Sequence, residues 1–301
     1  MIPSLRMITE TNVVKTWHVT KAFDGVSIRD FLSSVGEFSR QLLKKVRLNG
    51  KLFVNGLKRE IWQPLSTGDE LKVIFPAEER GAIVPHKGLL SIIYEDEDVL
   101  ILDKPSGIPV VPPLDSTGTS IANHLLYEYD KRGYPCTVHI VTRLDRDTSG
   151  LMLIAKHAYS HMLLTKNLDQ VKRRYQAVVH GSFMEREGLI DKPIGREEGS
   201  IIRRTVSSAG KPSKTMFQLD RCGTDYSFLK VRLLTGRTHQ IRVHMSYLGY
   251  PLVGDTLYGG KEVEGTKGQA LHCDQLHFRH PWTKKRMTFV SDPPKEWNIF
   301  A

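Results

Sequence analysis

The chain has 301 residues, 40% of them hydrophobic, and carries 43 Lys and Arg against 33 Asp and Glu for a net charge of +10. That length suits two domains, and the hydrophobic content is enough for a core, so a disordered chain is excluded. The positive balance favours a polyanionic partner, while three widely spaced cysteines, Cys136, Cys222 and Cys273, fit neither a disulfide framework nor a zinc site. No run of eighteen apolar residues marks a membrane span, and a cytoplasmic protein is expected.

In chain order, Trp17–Val19 gives a first strand, after which Ile28, Phe31 and Leu32 share one face of a helix within Val26–Val35. Ser39 caps a second helix over Arg40–Val46 that ends near Asn49-Gly50. Leu52–Val54, an Asn55-Gly56 turn and Leu71–Phe75 supply short strands. Between residues 40 and 59 stand Arg40, Lys44, Lys45, Arg47, Lys51, Lys58 and Arg59 with no acid among them. A solvated helical face is the ordinary use of such a run. Pro76–Lys87, charged and bounded by prolines, reads as a linker, so a small α/β domain over 1–84 and a larger one over 88–301 are expected.

The large domain opens with two apolar runs in Leu89–Leu102, then Lys104-Pro105-Ser106-Gly107 and a helix capped at Thr119 or Ser120 and running to Tyr129. The segment Val141–Leu153, VTRLDRDTSGLML, sets Asp145 and Asp147 between arginines and breaks through Gly150 into an apolar strand ending at Ala155. A carboxylate set among guanidiniums in a loop is aimed, and scaffolded folds place chemistry on such loops. A helix over Tyr159–Asn167 follows. Beyond Arg174 short strands dominate: Tyr175–Val179, Lys214–Leu219, Ser227–Leu234 and Met287–Val290. Alternation from Leu233 to His244 predicts a strand with Arg242 and His244 on one face. Strands in runs argue for an α+β fold with a largely antiparallel mixed sheet, and no glycine-rich nucleotide loop precedes a helix. Arg203 and Arg204 lie in a Gly/Ser-rich loop that either touches a phosphate backbone or is simply solvated.

The RLDRDTSG string, Arg174-Tyr175-Gln176-Ala177 and Thr235–His244, TGRTHQIRVH, occur in the order of the motifs of the RluA family of RNA pseudouridine synthases. The resemblance spans about 90–297. Lys104–Gly107 resembles the family's KPxG turn, and the segment from the first helix to the VNG turn resembles an S4-type RNA-binding domain. The resemblance implies a pseudouridine synthase fold with a catalytic cleft, no cofactor, no metal, and structured RNA as partner, ribosomal rather than transfer RNA, for a monomeric enzyme. It implies Asp145 as the catalytic carboxylate, Arg242 as its ion-pair partner and Tyr175 as the ring that packs on the target base. Arg143 matches the residue that fills the gap left by the flipped nucleotide; Arg40, Lys44, Lys45, Arg47, Arg203 and Arg204 complete the expected RNA contacts. His239 and His244 are expected to make structural hydrogen bonds, and Asp147 to be structural. Two positions depart from the pattern: Thr142 stands where the family has His, and Val111-Pro112 where it often has His-Pro. A non-catalytic RNA-binding or ribosome-assembly factor on the same fold is the alternative. A paired-carboxylate glycosidase fits poorly, because neighbouring arginines oppose the raised pKa it needs.

Overall fold

The structure is a computed structural model that describes residues 13–112 and 118–300. It divides into two compact units. One comprises the residues up to Ala82 with Tyr127–Thr137 and His157–Tyr159; the other comprises Ile83–Leu126, Val138–Lys156 and the residues from Ser160 on.

In the first unit β1 (Val14–His18), α1 (Ile28–Ser34), α2 (Arg40–Asn49), β2 (Lys51–Val54), β3 (Leu57–Lys58) and β4 (Glu70–Ile74) build a four-stranded antiparallel sheet in the order β1-β4-β2-β3. Both helices start where a serine side chain accepts a main-chain N–H: Ser27 from Asp30 and Ser39 from Leu42, each at 3.2 Å. Ile28, Phe31, Leu32 and Val46 are the buried helical residues. The unit is not one continuous segment. Tyr159 packs at 5.0 Å from Phe38 and 5.1 Å from Phe75, and its hydroxyl donates to the Gly36 carbonyl at 2.8 Å. Glu78 accepts from the main chain of Ala158 and Thr137 at 2.6 and 3.1 Å. Aromatic burial and two satisfied N–H groups therefore draw distant pieces of chain into it.

The second unit is built on a ten-stranded sheet. Its elements are β5 (Ser91–Glu95), β6 (Val99–Lys104), β7 (His139–Ile140), β8 (Ser149–Ala155), the part of α4 (Ala158–Lys166) from Ser160 on, β9 (Lys172–His180), β10 (Glu187–Asp191), β13 (Lys214–Cys222), β14 (Tyr226–Leu233), α5 (Gln240–Tyr247), β15 (Leu271–Arg279) and β16 (Arg286–Val290). The helix α3 (Ile121–Lys131) lies between β6 and β7 in sequence, and β11 (Ile194–Arg196) with β12 (Arg204–Val206) forms a separate hairpin. The sheet order is β10-β13-β14-β9-β15-β8-β6-β5, with β7 paired to β8 and β16 to β15. Every pairing is antiparallel except β15 with β8. The mixed, largely antiparallel α+β sheet expected from the sequence is the one observed.

β15 is where the two halves of that sheet join, and it approaches β8 closely. Gly150 has φ +106°, and a Cβ there would lie 2.4 Å from the Cys273 carbonyl oxygen, so only glycine fits. β8 is buried along its whole length, which explains its unbroken apolar sequence.

One expectation fails. Gln240–Tyr247 is the helix α5, not a strand carrying Arg242 and His244 on one face. Residues Gln240 to Met245 are all buried, so the segment shows no single apolar stripe and its alternation is accidental. His239 turns the chain into the helix with φ 58° and ψ 21°.

Candidate active site

Asp145 lies in the loop between β7 and β8, and that loop is fixed from three directions. Thr142, which is buried, accepts the Leu153 N–H on its Oγ1 at 2.9 Å, while the Thr142 N–H donates to the Leu153 carbonyl at 3.1 Å. The departure from His at this position thus serves the loop's attachment to β8. The Lys104 ammonium, 1% exposed, donates to the carbonyls of Pro105, Ile108 and Arg146 at 2.8, 2.9 and 2.7 Å. Burial pulls its pKa down to about 8, against the pull of the Asp147 and Asp145 carboxylates. The Ser106 hydroxyl lies 2.9 Å from both the Asp147 and Lys267 carbonyl oxygens. The Lys104–Gly107 turn is therefore a clamp on the back of the motif loop.

On the other side stands Arg242. Its Nη1 donates to Asp145 Oδ2 at 3.1 Å, while Nε and Nη2 donate to the two oxygens of Asp255, each at 2.8 Å. Asp255 is 1% exposed, Arg242 9% and Asp145 27% in their side chains, so the exposed end of the chain of charges is Asp145. Burial disfavours the guanidinium charge, but Asp255 first and then Asp145 outweigh it and hold its pKa above the ordinary value. A fork bonded on both edges cannot rotate, so the carboxylate it holds is fixed as well. Asp147 is taken up by its neighbour: Arg146 Nε and Nη2 reach its carboxylate at 2.9 and 2.8 Å.

Tyr175 lies on β9 and is 3% exposed, and burial raises its pKa, with the Asp145 carboxylate contributing in the same direction. Beside it Arg174 holds the buried Asp274 through Nε and Nη2 at 3.0 and 2.6 Å. Arg143 is exposed on the motif loop. Arg203 pairs with Glu197 at 3.0 Å, and the Arg204 guanidinium donates to the carbonyls of Ile202 and Arg203 at 3.1 and 3.0 Å, so both help shape the β11–β12 hairpin. Arg40, Lys44, Lys45 and Arg47 are exposed on α2 of the other unit, where Arg29, Arg40, Lys44 and Arg47 line a groove of about 610 Å³. His244 makes two internal bonds, to Thr215 Oγ1 at 2.8 Å and the Lys192 carbonyl at 2.9 Å.

Three residues of the site were missed in the sequence: Asp255, Tyr258 and the active-site position of His239. Their signal was present in Gly254-Asp255-Thr256-Leu257-Tyr258-Gly259-Gly260, one acid and one aromatic residue inside a glycine-rich turn. Among the described residues, Asp96, Asp98 and His280 have ligand atoms close enough to share an ion. Asp96 already accepts from the N–H of Asp98 and Val99 at 2.8 Å, from Tyr94 at 2.7 Å and from His280 at 3.0 Å, and Ser160 donates to Asp98 at 2.6 Å. That cluster closes the β5–β6 turn through hydrogen bonds. No helix among the described residues is long and apolar enough to cross a membrane.

A family model described as RNA pseudouridylate synthase matches residues 98–247, which include Asp145, Tyr175 and Arg242. A Bacillus subtilis (strain 168) protein named uncharacterized RNA pseudouridine synthase YjbO is 42% identical over 275 residues, covering 90% of this chain and 96% of its own. The ribosomal large subunit pseudouridine synthase D of Buchnera aphidicola subsp. Schizaphis graminum is 35% identical over 292 residues, covering 91% and 92%. Among solved structures, human RNA pseudouridylate synthase domain containing 1 superposes with a TM-score of 0.56 at 25% identity, covering 72% of this chain and 87% of that one. With two of the three motifs joined by the Arg242–Asp145 ion pair and relatives matched along nearly their whole length, the chain belongs to the RluA family of RNA pseudouridine synthases, isomerases that act on RNA.

Proposed function

We propose that this enzyme isomerises specific uridines of ribosomal RNA, with Asp145 as its catalytic carboxylate. The observation that carries the assignment is the Arg242 fork, bonded on one edge to buried Asp255 and on the other to Asp145, the more exposed carboxylate. The reaction breaks the C1′–N1 bond of uridine, rotates the uracil and joins C1′ to C5. The C5 proton is lost and N1 regains one, so atoms balance with no cosubstrate, redox partner or metal. What the reaction requires is an ionised, fixed carboxylate at the ribose and a grip on the freed base. Asp145 supplies the first. Tyr175 is assigned to the second, its ring packing on the extruded base for about 1–3 kcal/mol of stacking. Arg143, exposed on the same loop, takes the space that the extruded nucleotide leaves, offsetting part of an extrusion cost of a few kcal/mol.

The ribosomal assignment rests on relatives named for the large ribosomal subunit and on the basic unit that precedes the catalytic sheet. We assign that unit as an S4-like RNA-binding domain whose α2 face, with Arg40, Lys44, Lys45 and Arg47, lies on phosphates; Arg203 and Arg204 on the β11–β12 hairpin are assigned a second, smaller RNA-binding role. The enzyme acts as a monomer, and a ribosomal substrate places it in the cytoplasm. The test is to map pseudouridines in total RNA from a deletion strain, its parent, and the deletion strain complemented with Asp145→Asn. One or more ribosomal sites should vanish in the first and stay absent in the third. Full restoration by Asp145→Asn refutes the assignment of Asp145, and loss confined to transfer RNA refutes the ribosomal substrate.

A further inference from the structure

His239 is held in a backbone conformation that L residues rarely adopt, φ 58° and ψ 21°, at the mouth of α5. Such a position persists only where its surroundings over-determine it, and here the side chain is tied at one end. Nδ1 lies 2.8 Å from the Tyr258 hydroxyl. That hydroxyl also accepts the main-chain N–H of Arg204 at 3.0 Å, and the Tyr258 ring lies under the Arg242 guanidinium at 5.0 Å from its centroid. At the other end, Nε2 points towards Asp145 and stops 3.9 Å from Oδ2, too far for a direct hydrogen bond.

The proton positions follow from these contacts. A tyrosine hydroxyl has one proton to give, and no acceptor other than Nδ1 is within bonding distance of it among the described residues. With Nδ1 as the acceptor of that hydroxyl, the ring proton sits on Nε2. A carboxylate facing Nε2 favours the same tautomer, because a lone pair directed at Asp145 would be repelled. The groups around the ring are Asp145, Arg242, Asp255, Arg204 and Tyr258. Burial first, then the Arg242 and Arg204 charges, lower the imidazole pKa below its ordinary value, against the pull of Asp145 and Asp255. The result is a neutral imidazole with its only N–H directed beside the proposed catalytic carboxylate and not yet bonded to it.

We propose that His239 contacts the substrate, donating its Nε2–H to a carbonyl oxygen of the target uracil as the glycosidic bond breaks. Tyr258 and the main chain of Arg204 act behind it as positioning groups. When the C1′–N1 electrons pass to the base, negative charge spreads from N1 onto the uracil carbonyl oxygens. A neutral donor stabilises that charge without transferring a proton, and its position is set before the reaction begins. The inference rests on Asp145 being the catalytic carboxylate.

The test uses the full-length enzyme in single-turnover assays at saturating RNA, on target RNA carrying uridine or 5-fluorouridine. Fluorine stabilises the leaving base as an anion, so a donor that serves the leaving base matters less on that substrate. For His239→Ala we expect cleavage of the glycosidic bond at uridine to slow by about 10²–10³-fold with RNA affinity unchanged. The same variant should show a markedly smaller defect on 5-fluorouridine. Tyr258→Phe should slow uridine cleavage less and should likewise lose most of its defect on 5-fluorouridine, because the ring keeps its Nε2–H but loses the hydroxyl that fixes its orientation. Nitrogen-15 NMR of the wild-type imidazole should find the proton on Nε2. A proton found on Nδ1, or a defect equal on both substrates, overturns the proposal. Should His239→Ala fail to fold, the NMR result and Tyr258→Phe still decide. An Asp145→Asn variant that stays active would refute the assignment of Asp145, whereas a fully active His239→Ala beside a dead Asp145→Asn refutes this inference alone.

Discussion

On α2, Arg40, Lys44, Lys45 and Arg47 stand exposed, whereas Arg242 on α5 is 9% exposed with every guanidinium nitrogen bonded to a carboxylate. The charges are alike and their environments are opposite. An exposed cation is screened by salt and keeps its freedom, so it suits a surface that must fit an irregular chain of phosphates. A buried cation between two acids is screened little and cannot move, so it suits a site where one carboxylate oxygen must be held in place. The same distinction separates what a substitution should do in each region.

Removing one member of the buried set should have the largest effect. Asp255→Ala leaves Arg242 buried with a single partner, and we expect about 3–5 kcal/mol of lost stability and no measurable turnover. Thermal unfolding and single-turnover assays check this, and a variant that melts like the wild type would mean that water or a neighbour replaces Asp255. Next comes Lys104, a buried cation with no carboxylate at bonding distance among the described residues. Lys104→Met should lower the rate by about ten-fold or more through loss of three donated bonds to main-chain carbonyls. The wild-type rate should also fall as pH rises through about 8, where the ammonium loses a donor proton, and the Met variant should lack that limb. The linkage runs the other way for stability. Lys104 releases its proton more easily folded than unfolded, so from about 8 up to the ordinary lysine value its burial becomes less costly as pH rises. A rate–pH profile for both proteins, with unfolding at matched pH, separates the two effects.

The exposed set should respond to salt alone. Replacing Arg40, Lys44, Lys45 and Arg47 by glutamine should reduce the slope of log affinity against log salt by about 0.7–0.9 for each phosphate that is no longer neutralised. The rate at saturating RNA should be unchanged, and an unchanged slope would make α2 a merely solvated face. Point substitutions serve better here than removal of residues 1–84, which would strip Tyr159 and Ala158 of the partners they have in their own unit. The smallest effect is expected at Tyr175. Tyr175→Phe keeps the ring and should stay within a few-fold of the wild-type rate, and a large drop would assign the phenol hydroxyl a chemical role.

The sequence made the local determinants legible. Ser39 marked the start of α2, the apolar run after Gly150 marked β8, and the three motifs picked out the loop that carries Asp145, the strand that carries Tyr175 and the segment that carries Arg242. α5 was misread because a short helix buried on nearly all sides loses the 3.6-residue stripe that distinguishes it from a strand. β15 was overlooked because His272, Asp274, Gln275 and His277 interrupt its apolar residues. Their compensation is distant: Arg174 and Gln176 meet Asp274, and Ser149 Oγ lies 2.9 Å from His272 Nδ1. The discontinuous first unit was hidden for the same reason, since no local pattern announces that Tyr159 belongs with Phe38.

β15 also imposes an order on events at the ribosome that makes the protein. Its parallel partner Ser149 precedes His272 by 123 residues, and its antiparallel partner β9 precedes it as well. A nascent chain that has emerged only to Leu252 owns every catalytic motif and yet has no strand to join β8 to β9. The entropy of closing so long a loop is met only when that strand arrives, so the sheet completes late and as one event. Until then the motif loop is anchored on one half of the sheet and Tyr175 on the other. An enzyme whose proposed substrate is ribosomal RNA should therefore gain activity only after the last third of its chain has left the ribosome that made it.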